Sequence, residues 1–188
     1  PAGDRPSALA SGDFDGDKLE DVVVANAGSD NVTYLRGGTG GLSGVDEIPA
    51  GEWPTALASG DFDGDRLDDV VVANAGWDSA ASGNVTYLRG GAGGLIRMGE
   101  IPAGISPRAL ASGDFDEDAF DDVLVANAKS GSVTYLRGGN VELRVAGEIP
   151  VGSEPWALTS GDFDGDGFLD AVVANDRAYP TASDRAVA

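Results

Sequence analysis

The sequence predicts an all-β chain folded as a β-propeller of four-stranded antiparallel blades, on the strength of a repeated motif, its period and the stretches between its copies. A nine-residue acidic motif recurs four times in 188 residues, as DFDGDKLED at 13–21, DFDGDRLDD at 61–69, DFDEDAFDD at 114–122 and DFDGDGFLD at 162–170. The copies are spaced 48, 53 and 48 residues apart, a period that fits one blade per repeat. Around each copy lie short stretches of strand character bounded by Gly, Asp, Asn and Pro. A single meander of this kind cannot bury both faces, so several must stack side by side.

In the first repeat the four stretches are ALASGDF, DVVVANA, NVTYLRG and GVDEIP. The first is built of Ala, Ser and Gly, as expected where strands crowd together. The second and third are rich in Val, Leu, Tyr and Thr, which suit a pleated, packed surface. Repeats are expected at about 6–52, 53–105, 106–153 and 154–188, within one array spanning 1–188. The longer middle interval has a local cause. Asn26 to Val32 and Asn127 to Val133 each span six residues, whereas Asn74 to Val85 spans eleven, so the second repeat carries a five-residue insertion. The fourth repeat shows only two clear strands before DRAYPTASDRAVA. The count is therefore about three and a half to four blades, and the array is expected to be a fragment, an oligomer or an unusually small ring. Its start at Pro1 points to processing, excision or incomplete coverage.

Composition narrows the functions. The chain has 12 Lys and Arg against 32 Asp and Glu, a formal charge of −20, with neither Cys nor His. Such an acid excess opposes binding to a phosphate backbone, so nucleic acid is not an expected partner. No apolar run reaches the ~18–20 residues of a membrane helix. Cys–His and Ser–His–Asp nucleophile systems and imidazole zinc sites are excluded, while carboxylate pairs and tyrosine bases are not.

The acidic motif has the pattern of a chelating turn. Over DxDxDxxxD a tight loop can converge the side chains of positions 1, 3, 5 and 9 on one point, with the backbone carbonyl of position 7. The candidate metal ligands are Asp13, Asp15, Asp17 and Asp21 with Leu19; Asp61, Asp63, Asp65 and Asp69 with Leu67; Asp114, Asp116, Asp118 and Asp122 with Phe120; and Asp162, Asp164, Asp166 and Asp170 with Phe168. Hard oxygen donors in flexible six- to eightfold geometry favour calcium over magnesium. About four calcium ions are expected, one per loop, which would take the formal charge from −20 to −12. A solvated turn alone needs only one or two such residues. The third loop departs from the others in carrying Glu117 where they have Gly16, Gly64 and Gly165. Position 6 varies (Lys18, Arg66, Ala119, Gly167), so a positive φ is not expected to be obligatory there.

The recurring GDFDGD stretches, VVAN at 23–26, 71–74 and 172–175 with LVAN at 124–127, and NVTYLRGG at 31–38 and 84–91 resemble the FG-GAP or VCBS repeats of integrin α-subunit propellers and many secreted bacterial proteins. The resemblance covers almost the whole chain. It implies a propeller with calcium in the turn between the first two strands of each blade, and a secreted or cell-surface setting. Integrin-like propellers have seven blades, more than this array supplies.

If the acidic turns lie on one face, antiparallel order puts the blade-entry segments on the other. These segments are GDRPSAL, GEWPTAL, GISPRAL and GSEPWAL, in which Gly, Pro, Ala and Leu recur while the residues flanking Pro change. Arg5, Trp53, Arg108 and Trp156, with Trp77 from the insertion, are the candidate ligand-binding residues of that face, since a constant frame with variable aromatic and charged positions suits recognition. The plainer reading is that Trp53 and Trp156 wedge between blades. The repeated Arg36, Arg89 and Arg137 read as structural, the repeated tyrosines as packing residues, and Asn26, Asn74, Asn127 and Asn175 as closing the turn after the second strand.

Two classes of function follow. One is a calcium-stabilised extracellular binding or adhesion module that recognises a carbohydrate or protein ligand. The other is a propeller domain of a secreted carbohydrate-active enzyme such as a polysaccharide lyase. Intrinsic catalysis is not expected, because most carboxylates are committed to metal and only scattered Tyr34, Tyr87, Tyr135, Tyr179, Glu52 and Glu154 remain.

Overall fold

A computed structural model of the chain describes residues 2–77, 82–140 and 142–176. Every element in it is a strand. The first sheet comprises β1 (Pro6–Gly12), β2 (Asp21–Asn26), β3 (Asn31–Arg36) and β4 (Ser43–Pro49). The second comprises β5 (Pro54–Gly60), β6 (Asp69–Asn74), β7 (Ser82–Arg89) and β8 (Ile96–Ile105). The third comprises β9 (Pro107–Gly113), β10 (Asp122–Asn127), β11 (Ser132–Arg137) and β12 (Arg144–Pro150), and the last pairs β13 (Pro155–Gly161) with β14 (Asp170–Asn175). Within each sheet the strands pair antiparallel in chain order, which is the meander of a propeller blade. Among the described residues no helix is long and apolar enough to cross a membrane.

Burial follows from the two-faced packing of the second strand in each blade. In β6 and β10 every residue is buried, because alternate side chains enter cores on opposite sides of the sheet. Val70 and Val72 join Phe14, Val23, Ala25, Val32, Tyr34, Ile48 and Leu88 between the first and second sheets. Val71 points the other way and joins Phe62, Val85, Tyr87, Val123, Val125, Leu136 and Leu143 between the second and third. The strand β14 is mostly half-buried. Phe163 is 56% exposed where its counterparts Phe14 and Phe62 are fully buried, as befits the end of the stack among the described residues.

The innermost strands β1, β5, β9 and β13 contact one another in that order, and among the described residues the sheets do not close into a ring. Their small residues allow a hydroxyl relay. Ser59 Oγ donates to the Ser11 carbonyl at 2.9 Å, Ser112 Oγ to that of Ser59 at 2.8 Å and Ser160 Oγ to that of Ser112 at 3.3 Å.

The acidic turns form a second seam. The Asp68 carboxylate accepts the Asp13 N–H at 2.9 Å and the Asp121 carboxylate accepts the Asp61 N–H at 3.1 Å. The acid at position 8 therefore serves the preceding blade. Beside it, Gly91 N–H donates to the Phe14 carbonyl and Gly139 N–H to that of Phe62. The fourth blade has Leu169 at position 8, packed against Gly113.

The GG pair after the third strand separates two demands. A Cβ on Gly138 would lie 2.3 Å from the Asp121 carbonyl oxygen and 2.9 Å from that of Phe62, whereas one on Gly139 meets nothing within 4 Å. Gly138→Ala is expected to lower unfolding stability by at least about 1–3 kcal/mol through forced backbone displacement, and Gly139→Ala to change it by less than about 0.5 kcal/mol. Urea denaturation of the two variants measures the contrast.

Candidate functional site

Each acidic turn is shaped by its own carboxylates before any ion is considered. In the first, Asp13 accepts the N–H groups of Gly16 and Lys18 at 2.8 and 3.0 Å, Asp15 accepts that of Asp17, and Asp17 accepts that of Leu19. The second and fourth turns repeat this set. In the third, Asp114 reaches the Asp118 and Ala119 N–H groups, a local change that accompanies Glu117. Contrary to expectation, position 6 is left-handed in every turn, with φ of 70° at Lys18, 73° at Arg66, 71° at Ala119 and 95° at Gly167. Glu117 also adopts φ 58°. Two N–H groups must reach the position-1 carboxylate within five residues, and that closure overrides the intrinsic preference of the side chain.

Position 9 is a different kind of residue. Asp21, Asp69 and Asp122 are fully buried at the start of the second strand. Asp21 accepts hydrogen bonds from the Tyr34 hydroxyl at 2.7 Å, the Gly37 N–H at 2.7 Å and the Phe14 N–H at 3.3 Å. Asp69 has the same partners in Tyr87, Gly90 and Phe62, and Asp122 in Tyr135, Gly138 and Phe115. Burial pushes the Asp69 carboxyl up to about 6, against the opposing pull of its hydrogen bonds, and raises Asp122 likewise. Burial also raises the three tyrosine hydroxyls well above their usual range, which keeps them protonated donors. The tyrosines therefore do more than pack: they anchor the third strand to the acidic turn.

Three carboxylates per turn offer oxygens that lie within 4.8 Å of one another: Asp13, Asp15 and Asp17; Asp61, Asp63 and Asp69; Asp114, Asp116 and Asp122; Asp162, Asp164 and Asp170. The first cluster draws on position 5, and the other three on position 9. An all-oxygen donor set of this spacing fits a hard divalent cation. Crowding is evident in Asp63, whose carboxyl is raised by burial and by the charge of Asp65. The repeated arginine of the third strand supplies a counter-charge. Arg36 pairs with Asp15, Arg89 with Asp63 and Asp65, and Arg137 with Asp116 and Asp118. Sequence reasoning gave these arginines a structural role without finding their partners; their identical offset from the acidic motif was the available signal.

At the opposite ends of the inner strands, Arg5, Trp53, Arg108 and Trp156 line one cavity of about 370 Å³ with Ser7, Ala27, Pro54 and Thr55. The residue before each Pro is left-handed: Arg5, Trp53, Ser106 and Glu154 have φ between 51° and 58°. Their carbonyls accept the N–H groups of Ala27, Ala75, Ala128 and Asp176, closing the end of each second strand. Ser7 and Thr55, just after Pro, donate to the carbonyls of Pro54 and Pro107 in the next blade. In the third blade Arg108 takes that slot and stacks on Trp156, 4.6 Å from the ring centroid. Arg5 lies 5.7 Å from the Trp53 centroid, and Trp77 meets Trp53 edge to face at 4.3 Å. Trp156 is 50% and Trp77 58% exposed, and Trp53 is half-buried; Trp156 belongs to the last described blade, where, as at Phe163, the stack of described residues ends. Residues 78–81 of the insertion, and Tyr179, lie outside the described residues.

The fold and its acidic turns define a β-propeller array of repeated Asp-rich blades. The FG-GAP-like repeat family matches residues 13–72 and 114–173, more than half of the chain, and the chain belongs to that family. Among solved structures, BBS1N in complex with ARL6DN, soaked with lead, is similar at 16% identity with a TM-score of 0.64, over 92% of this chain and 51% of that one. The likeness shows the propeller fold, and this chain spans about half the length of that neighbour. No curated protein matches.

Tyr87→Phe keeps the ring but removes a donor to the buried Asp69 carboxylate. The expected cost is about 1–3 kcal/mol of unfolding stability, with the Asp69 carboxyl displaced further upward because a hydrogen bond to its charged form is lost. Chemical denaturation and carboxyl-carbon NMR titration of the metal-free protein measure the two effects.

Proposed function

We propose that this chain is a calcium-stabilised extracellular propeller segment that recognises a carbohydrate or protein ligand on the face opposite its acidic turns. The observation that carries this reading is the convergence of Arg5, Trp53, Arg108 and Trp156, contributed by four successive repeats, on a single cavity. Arginine and tryptophan dominate recognition surfaces because each combines a broad apolar face with a directional polar edge. The lining of arginine, tryptophan, hydroxyl and small apolar residues suits holding a ligand better than moving protons, so we assign binding rather than catalysis to this segment.

Calcium's part is structural. Asp13, Asp61, Asp114 and Asp162, with their partners in each cluster, would hold the ions, and neutralising crowded carboxylates would stabilise the turns that join first and second strands. The oxygen-only donor sets and the family's Asp-rich pattern support calcium. The secreted or cell-surface setting rests on the family resemblance. The neighbouring BBS1N propeller is described in complex with ARL6DN, which accords with a propeller face serving as a docking surface.

Calcium is expected to raise the melting temperature and EDTA to lower it, since a ligand at a hundred times its Kd stabilises the folded state by about 2.7 kcal/mol per site. Coincident melting curves in calcium and in EDTA would refute the structural role. Trp77→Ala is expected to weaken retention on a glycan or protein array severalfold while calcium affinity and melting temperature stay unchanged. Unaltered retention by the Trp53→Ala, Trp77→Ala and Trp156→Ala variants alike would show that recognition lies elsewhere.

A further inference from the structure

We infer that the cavity between Arg5, Trp53, Arg108 and Trp156 takes an acidic saccharide, a uronic acid unit whose carboxylate pairs with arginine while its ring lies on tryptophan. The inference rests on the reading of this face as the binding face.

Charge selection is the first ground. The chain carries a formal −20, yet the lining of this cavity contains two arginines and no carboxylate. Four of the six other described arginines are taken up by ion pairs, Arg36, Arg89 and Arg137 with the acidic turns and Arg97 with Glu100 at 2.7 Å, while Arg66 and Arg144 lie away from this face, in the second acidic turn and in β12. Arg5 and Arg108 instead lie over tryptophan rings, with Cζ 5.7 Å from the Trp53 centroid and 4.6 Å from that of Trp156. Among the described residues neither guanidinium is paired with a carboxylate, and the N–H fork of an arginine suits a two-point bond to one. The acidic turns at the other end of the strands are screened over about 8 Å at physiological ionic strength, and Asp30, which accepts the Trp53 N–H, is not among the lining residues, so the two arginines supply the charge of the lining itself.

A saccharide fits better than an extended peptide. Peptides are commonly captured by main-chain pairing along a strand edge or in a groove. Here the backbone around the mouth is already committed. The Arg5 and Trp53 carbonyls accept Ala27 and Ala75 N–H groups, Trp53 N–H donates to Asp30 at 2.8 Å, and the Pro54 and Pro107 carbonyls accept Ser7 and Thr55 hydroxyls. What remains is side-chain chemistry: flat aromatic faces for the C–H surface of a sugar ring and cationic forks for its carboxylate. A volume of about 370 Å³ lies at the small-ligand end of the usual pocket range of about 300–1,000 Å³.

All three tryptophans of the chain, Trp53, Trp77 and Trp156, belong to this face, so intrinsic tryptophan emission reports on it alone. The test titrates the calcium-loaded chain with tetragalacturonate, its fully methyl-esterified form and tetraglutamate, following emission. Tetragalacturonate is expected to produce a saturable change, with affinity at least about tenfold above that of the ester, as loss of a charge-assisted pair requires. Arg108→Gln and Arg5→Gln, both at exposed side chains, should each reduce that preference for the acid without shifting the melting temperature. Equal binding of acid and ester would overturn the assignment to an acidic sugar and leave the face as a binding surface. Tighter binding of tetraglutamate would overturn the saccharide class. No response to any of the three would overturn the inference, while retention on the glycan or protein array that is lost in Trp156→Ala would show the face itself still to be correct.

Discussion

The buried aspartate at the end of each acidic turn is the constraint on which the blade depends. Asp21, Asp69 and Asp122 begin the second strand, receive the N–H of the motif's own Phe, and bind both the tyrosine hydroxyl and the glycine N–H that bracket the end of the third strand. One carboxylate thus fixes the turn, the start of one strand and the register of the next. A fully buried charge is tolerated only when so completely hydrogen-bonded. The upward displacement of Asp69 shows that even this set does not wholly offset desolvation.

The same end of the blade also joins blade to blade. Because Asp68 and Asp121 cap the position-1 N–H of the preceding turn, the shape of each turn and the spacing of adjacent blades are set together. The serine relay along the inner strands repeats the device nearer the axis. These contacts are polar and directional, whereas the Val, Leu and Phe between sheets supply most of the burial. Hydrophobic packing holds the blades together, and the hydrogen bonds decide at what offset.

The opposite face obeys a different logic. A non-glycine residue before proline is held at positive φ in every blade, at a cost of about 1–3 kcal/mol each, because its carbonyl must close the end of the second strand. The backbone at these positions is constant while the side chains are free. That freedom lets Arg5 and Trp53 meet across one pair of blades, and Arg108 and Trp156 across another.

Much of this was legible in the sequence. The period, the alternating strand chemistry and the Asp spacing determined a propeller of four-stranded blades with a carboxylate cluster in each first turn, because repeats expose what every blade needs. The variable positions around a constant Gly, Pro, Ala and Leu located the second face, since end-to-end strand order is fixed by antiparallel pairing. Other features were decided only by tertiary structure. Position 8 acids look like spare acids of their own loop until the neighbouring blade is placed beside them. Tyr34, Tyr87 and Tyr135 read as packing residues because nothing along the chain says that a hydroxyl will meet a carboxylate 13 or 18 residues away. The left-handed backbone at Lys18, Arg66 and Ala119 was concealed because local propensity describes a residue alone, while closure of the turn around one carboxylate acts on all of them together.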